Sequence, residues 1–111
     1  MVELSDFQQV DIRVGRVVSA TPFPGARKPS YRLRIDFGPE IGERDSAAQL
    51  TVTYPDPAAL VGRQVVAVVN FPPRRIAGLD SQVLVLGAMG EDGEVFLLQP
   101  DPGSPLGLRI G

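Results

Sequence analysis

The 111 residues, 43% apolar with a formal charge of −2, suit one folded domain with a single core and exclude a strongly basic or disordered chain. There is no cysteine and no histidine, which excludes disulfides, thiolate nucleophiles, histidine-based catalysis and zinc bound through sulfur or imidazole. The remaining candidates for catalytic groups are one lysine, Lys28, and the carboxylates. We therefore expect a protein that is not an enzyme and that uses no metal or other cofactor.

The N-terminal part of the chain predicts one short helix followed by a long strand. Leu4–Gln9 reads as the helix, with Ser5 as its cap and Gln8 at the spacing of a capping box. Ile12–Phe23 reads as a first strand, and Gly15 within it indicates a bulge or bend. No basic segment leads into an apolar one, so we expect no signal peptide, and a cytoplasmic protein.

The next part predicts two more strands after a loop rich in proline and glycine, residues 23–29. Tyr31–Phe37 alternates between apolar and polar residues with a period of two, which is typical of a strand with one buried face. A third strand is expected from about Arg44 to Thr53.

The second half predicts a short helix and three further strands. Asp56 suits the N-cap of that helix, Pro57 its first turn and Gly62 the position after its end. Strands are expected over 64–70, 83–86 and 95–98, with a long loop from Phe71 to Ser81. Residues 1–10 and 99–111 are treated as terminal extensions of a single domain, 1–111.

The first three strands, the short helix and the next two strands follow the order of the OB-fold, so the predicted fold class is all-β: a five-stranded Greek-key barrel with short helices. Such barrels bind their ligands on strands 2 and 3 and on the loops between strands 1 and 2 and between strands 4 and 5. Seven of the eleven cations fall on or beside these elements: Arg13, Arg27, Lys28, Arg32, Arg34, Arg74 and Arg75. They predict a surface that binds phosphate, although ordinary solvated surface arginines are an alternative interpretation.

The last strands are apolar on both faces, as in the run Val65–Val69. In a small antiparallel barrel one face of each strand is normally exposed to solvent and polar. Because these strands are apolar on both faces, something must cover their outer face. The N-terminal helix and C-terminal tail could do so, but we favour a second copy of the chain in a symmetric homodimer.

Several segments resemble a known family. Asp11–Gly15 is similar to a wider domain family, and Ile35–Pro39 and Gly62–Gly78, with Ser81 and Leu84–Leu86, are similar to its CsaA-type export-related chaperones. These belong to the tRNA-binding OB-domain family, which includes the C-terminal appendix of methionyl-tRNA synthetase and the EMAP-II-like module. The resemblance implies a homodimer, binding of tRNA or single-stranded nucleic acid, and the holding of unfolded precursor proteins for export. Residues 46–49 and 81–83 depart from the tRNA-binding pattern, which favours the chaperone branch.

Two sets of site residues follow. The resemblance assigns nucleic-acid binding to Arg13, Asn70, Arg74, Arg75 and Ser81, and the placement of charges adds Arg27, Lys28, Arg32 and Arg34. An unfolded peptide is expected along an apolar groove formed by Phe71, Pro72, Ile76 and Leu79, although Ile76 and Leu79 could instead pack the loop onto the barrel. The expected partners are a second copy, unfolded precursor proteins and tRNA, without membrane insertion.

Overall fold

The computed structural model describes residues 1–111 and consists mostly of β-strands. The helix α1 (Leu4–Gln9) comes first, and a 3-10 helix, Pro57–Leu60, lies between the third and fourth strands. The strands are β1 (Ile12–Pro22), β2 (Tyr31–Asp36), β3 (Glu43–Ala48), β4 (Gln64–Val68), β5 (Arg74–Ile76), β6 (Leu79–Ser81), β7 (Leu84–Val85), β8 (Gly87–Met89) and β9 (Val95–Leu97). None of the helices is long and apolar enough to cross a membrane.

Five strands form a nearly closed antiparallel barrel in the order β3-β2-β1-β4-β7. The residues just before β7 return to β3: the buried Ser46 hydroxyl donates to the Val83 carbonyl at 3.0 Å, and the Gln82 amide donates to the Asp45 carbonyl at 2.8 Å. The predicted OB-fold is therefore confirmed.

The barrel interior is filled by alternate residues of its strands. Leu33, Ile35 and Phe37 are almost completely buried together with Val65 of β4. Gly15 lies against them, because a Cβ atom at this position would sit 2.6 Å from the Ile35 Cγ2 atom. β1 can therefore bend tightly around the core and pair with both β2 and β4.

Several predicted boundaries need correction. The third strand ends at Ala48 and is followed by a turn, so it does not reach Thr53. Ser5 lies inside α1 rather than at its cap: the Asp6 carboxylate accepts from the backbone amide of Glu3 at 3.0 Å. The 3-10 helix confirms the predicted cap, since the Asp56 carboxylate accepts from the Ala58 amide.

The predicted loop 71–81 contains a hairpin instead of irregular chain. β5 and β6 pair through a two-residue turn, Ala77 and Gly78, in which both residues have positive φ (47° and 86°). That geometry matches the right-handed twist of the flanking strands and is normally formed by asparagine or glycine at the first position. A second hairpin pairs β8 with β9.

The tail also differs from expectation, because it covers the outside of β4. The Val14 amide donates to the Leu108 carbonyl and the Ile110 amide to the Ile12 carbonyl, so residues 107–110 run along β1. Leu106 and Ile110 pack on a second buried cluster made of Ile12, Val14, Val66 and Val68. For β4 the expectation of cover by a second copy is therefore wrong, since the chain's own tail supplies it.

Candidate nucleic-acid interface

The two cation-bearing loops of the barrel lie side by side. A Cβ atom placed on Gly25, in the loop between β1 and β2, would be 3.2 Å from the Cβ of Ala77 at the tip of the β5–β6 hairpin. The hairpin also packs on β3, where the Ser81 hydroxyl accepts from the Ala47 amide at 3.0 Å. The structure thus brings the loop 23–30 and the hairpin 74–81 to one edge of the sheet.

Most cations of these loops have no acidic partner. Arg27, Lys28 and Arg74 are exposed and form none of the ion pairs in the structure. Arg75 pairs with Asp80 at 2.9 Å, but both side chains are more than half exposed, so water screens the pair. The loop edge therefore carries positive charge that an anionic ligand can reach.

The outer face of the sheet has a different electrostatic arrangement. Arg32 and Arg34 face outward on β2, opposite Thr21 and Ser19 of β1. Together with Asp45 they line a polar hollow of about 330 Å³, which we call the strand depression. Sequence reasoning missed Ser19 and Thr21; the alternation of residues along β1 was the available signal.

Acidic side chains of β3 hold both of these arginines. Arg34 donates to Asp45 at 3.1 Å and to Glu43 at 3.0 Å, and Arg32 lies 3.7 Å from Asp45. The hydrogen bond to Asp45, followed by that to Glu43, raises the pKa of Arg34. In the strand depression, therefore, a phosphate must compete with carboxylates that are already in place.

Three other predicted nucleic-acid residues are engaged within the fold. Arg13 donates to the Asp11 carboxylate at 2.6 Å and to the Gly107 carbonyl at 2.9 Å, and the bond to Asp11 raises the pKa of Arg13. Asn70 accepts from the Asp11 amide and donates to the Gln9 carbonyl, which joins α1 to the end of β4. Ser81 is buried at the bond to Ala47 described above.

The predicted peptide residues also divide by exposure. Phe71 is 46% exposed, and Pro72 beside it is exposed as well. Ile76 is half-buried, whereas Leu79 is only 8% exposed and belongs to the packed part of the hairpin. An apolar surface open to a ligand thus includes Phe71, Pro72 and part of Ile76.

No group of three or more carboxylates or other metal-ligating side chains comes together anywhere in the chain. The arrangement consists of hydrogen-bond donors, cations and one apolar strip on a rigid barrel. Chemically it can bind an anionic or extended ligand.

Comparison with known proteins agrees with this geometry. Residues 12–109 match the family described as "Putative tRNA binding domain". Methionine–tRNA ligase from Acidithiobacillus ferrooxidans is 41% identical over 109 residues, which are 98% of this chain and 16% of that enzyme. The chain thus spans about one sixth of the length of this relative.

Solved structures also match over the full length of the chain, and two of them share 44% or more of its sequence. The chaperone CsaA from Bacillus anthracis is 50% identical, with a TM-score of 0.94 over 100% of this chain and 99% of that one. The CsaA chaperone protein from Picrophilus torridus is 44% identical, with a TM-score of 0.90 over 100% of both chains. The chain therefore belongs to the tRNA-binding domain family and is a protein of the CsaA type.

Proposed function

We propose that the protein binds RNA, either tRNA or single-stranded segments, along the edge formed by the loop 23–30 and the hairpin 74–81. The observation that carries this proposal is the contact between these two loops, which gathers Arg27, Lys28 and Arg74 without acidic partners. The proposed role is binding rather than catalysis, because no histidine or cysteine is available for acid–base or nucleophilic chemistry.

Recognition by this edge rests mainly on phosphate. Arginine offers a planar fork of donors that fits a phosphate group, and three of the four cations here are arginine. Affinity is therefore expected to fall steeply as salt increases, because each phosphate contact releases condensed counterions. The exposed ring of Phe71, which precedes the hairpin, adds a surface on which a base can stack.

The test is fluorescence anisotropy with labelled tRNA and a labelled single-stranded RNA at several salt concentrations. Arg74→Gln with Arg75→Gln is expected to weaken binding about tenfold and to flatten the logarithmic salt slope by about 1.4 to 1.8 units, about 0.7 to 0.9 for each arginine. Ala58→Glu with Ala59→Glu changes the net charge equally on the exposed 3-10 helix, away from the loops, and should have little effect. Equal losses in both double variants would refute a localised site.

A second proposed function is holding unfolded precursor polypeptides before export, as a CsaA-type chaperone. It is favoured by the exposed apolar strip at Phe71 and Pro72, and by the full-length similarity to solved CsaA chaperones. Extended apolar segments can lie on such a strip while the neighbouring arginines contact backbone carbonyls or acidic side chains. A cytoplasmic location fits both proposed ligands.

The chaperone proposal is tested by titrating a labelled unfolded precursor peptide. Phe71→Ala should weaken binding about fivefold, since a large exposed aromatic contact is lost. Val52→Ala truncates a comparably exposed apolar side chain elsewhere and should leave affinity unchanged. Identical affinities for the wild type and Phe71→Ala would remove Phe71 from the site.

A homodimer is proposed from the apolar surface that the tail leaves open. Leu84, Phe96 and Leu98 are each about half exposed. They lie on adjoining strands, because the Leu98 amide donates to the Leu86 carbonyl and Ala88 pairs with Phe96. Light scattering should give the mass of two chains for the wild type and of one chain for Phe96→Ser. The mass of a single chain for the wild type would refute the proposal.

A further inference from the structure

A second cavity lies on the outer face of the sheet, beneath the C-terminal tail. It has a volume of about 410 Å³ and is lined mainly by polar groups. We call it the tail cavity, and its lining includes Arg16, Gly62, Arg63, Gln64, Gln99 and Gly103. None of its lining residues is acidic.

Arg63 is held in place in this cavity without being neutralised. Its guanidinium group lies 5.1 Å from the centre of the Tyr54 ring, and one nitrogen donates to the Gln99 side-chain oxygen at 3.3 Å. The residue is half-buried and forms none of the ion pairs in the structure. A cation that is partly removed from water and fixed by neutral groups favours an anion beside it.

Arg16 supplies a second guanidinium group to the same cavity. It forms no side-chain hydrogen bond and no ion pair with the protein. Asp36 lies directly across from it on β2, but the Asp36 carboxylate accepts from the Gly38 amide at 2.8 Å and stays more than 4.0 Å from the arginine nitrogens. Both arginines of the tail cavity thus keep donors free.

The tail cavity is separate from the proposed RNA-binding edge. Arg16 pairs with Gln64 in the half of β1 that contacts β4, whereas the loop 23–30 begins after Pro22. Six residues of extended strand span about 20 Å. A ligand in the tail cavity therefore need not touch the loop residues.

We propose that the tail cavity is a binding site for a phosphate group, held by the guanidinium groups of Arg16 and Arg63. A phosphate accepts several hydrogen bonds at once and matches the arginine fork, and the backbone around Gly62 and Gly103 carries no side chain that would fill the space. Neither glycine would meet another atom within 4 Å if a Cβ were added, so the entrance is open. The proposal does not depend on RNA binding by the loops.

The phosphate could come from a free phosphomonoester or from the backbone of a nucleic acid. Uridine 5′-monophosphate represents the first source, and a uridine trinucleotide without terminal phosphates represents the second. Tighter binding of the mononucleotide would support a small-molecule site, whereas tighter binding of the trinucleotide would support a second contact for an RNA strand. Either outcome counts only where the amide shifts fall at Gly62, Arg63 and Gly103, because the proposed loop edge also binds RNA phosphates.

The experiment follows amide chemical shifts of the full chain by NMR while inorganic phosphate replaces chloride at constant ionic strength. Saturable shifts are expected at Gly62, Arg63 and Gly103. Arg63→Gln and Arg16→Gln should each weaken binding about tenfold, and Arg44→Gln, which removes a cation of β3 outside both proposed sites, should leave it unchanged. The spectra also report whether each variant is folded, and the Arg16 side chain forms no hydrogen bond or ion pair within the chain that the substitution would remove.

Three results would overturn the proposal. The first is shifts that rise linearly with phosphate without saturating. The second is unchanged affinity in both arginine variants. The third is acetate binding as tightly as phosphate, since a guanidinium fork accepts either anion and equal affinities would show that the cavity does not select a phosphate group.

Discussion

The strand depression and the tail cavity lie on the same outer face of the barrel and each contains two arginines, yet their charges differ. In the strand depression Arg32 and Arg34 face Asp45, which is only 17% exposed, and Glu43. In the tail cavity Arg16 and Arg63 face amides, an aromatic ring and glycine backbone. The number of arginines on a face therefore does not measure how strongly the face attracts anions.

The register of the β2–β3 pairing produces this difference. Arg34 lies directly opposite Asp45, and Glu43, two positions along β3, reaches the same arginine diagonally. On β4, Gln64 lies opposite Arg16, and the side-chain amide of Gln64 already donates to the Ser104 carbonyl at 2.6 Å. Pairing across a sheet thus contributes to which cations remain free for a ligand, together with the other bonds of each acid, since Asp36 lies opposite Arg16 but accepts from the Gly38 amide instead.

The largest expected effect is a loss of stability on distorting β1, the strand that contributes residues to both regions. Gly15→Ala would place a methyl group 2.6 Å from Ile35 and 2.8 Å from the Phe37 ring. Overpacking of this kind costs about 1–3 kcal/mol, which exceeds the small gain from stiffening the unfolded chain. Urea unfolding measures the loss.

Phe37→Leu provides the check on that mechanism. The double variant should lose less stability than the sum of the two single variants, because the smaller side chain makes room for the methyl group. Strict additivity, or a Gly15→Ala protein as stable as the wild type, would contradict the close approach.

A smaller effect, a gain in RNA affinity, is expected from a substitution in the strand depression. Asp45→Asn removes the charge that holds Arg32 and Arg34 but keeps the size of the side chain, so RNA should bind about three- to fivefold more tightly. The salt slope should become steeper by about 0.7 for each arginine released onto a single strand. Anisotropy titrations measure both quantities.

Two further variants isolate the cause. Glu91→Gln makes the same change in net charge at an exposed turn and should leave the affinity nearly unchanged. Adding Arg34→Gln to Asp45→Asn should remove most of the gain. If RNA binds the wild type but Asp45→Asn adds nothing, the carboxylate does not compete with phosphate, while the loop-edge proposal still stands.

The fold could be predicted because its strands show alternating apolar and polar residues and because their order along the chain is that of a known barrel. Tyr31–Asp36 alternates cleanly, and the Asp56–Pro57 start of the short helix has recognisable capping chemistry. The β5–β6 hairpin was missed because its turn uses Ala77 at a positive φ, where sequence rules expect asparagine or glycine. The tail was missed for another reason: its bonds to β1 connect residues nearly one hundred positions apart.

The candidate site could be predicted only in outline. The OB-fold order predicted that the loops 23–29 and 71–81 both serve binding, and the structure brings Gly25 and Ala77 of these two segments close together. The side-chain partners were not predictable: Arg13 reaches Asp11 and Gly107, and Asn70 spans Asp11 and Gln9. Such contacts depend on exact register and on the path of the tail, which local patterns do not encode.

The Tyr54 ring beneath Arg63 provides a test of what keeps the tail cavity, unlike the strand depression, available to anions. Tyr54→Leu removes the aromatic face and should weaken phosphate binding in the tail cavity about two- to fourfold, in line with a partly exposed cation–π contact. Tyr54→Phe keeps the ring but loses the hydroxyl that accepts from the Leu97 amide, so phosphate affinity should be preserved. Equal losses in the two variants would show that the hydroxyl, not the ring, supports the site.

The smallest gain in RNA affinity is expected where an arginine is paired with an acid but both side chains are mostly exposed to water. Arg75 and Asp80 are 68% and 61% exposed, whereas Asp45 is 17% exposed, so Asp80→Asn releases a pair that solvent already screens. RNA affinity should rise by less than about twofold, and the difference should vanish at high salt. Anisotropy beside Asp45→Asn makes the comparison direct. A gain from Asp80→Asn as large as that from Asp45→Asn would mean that burial of the acid does not govern the competition, and that the strand depression differs from the hairpin only in position.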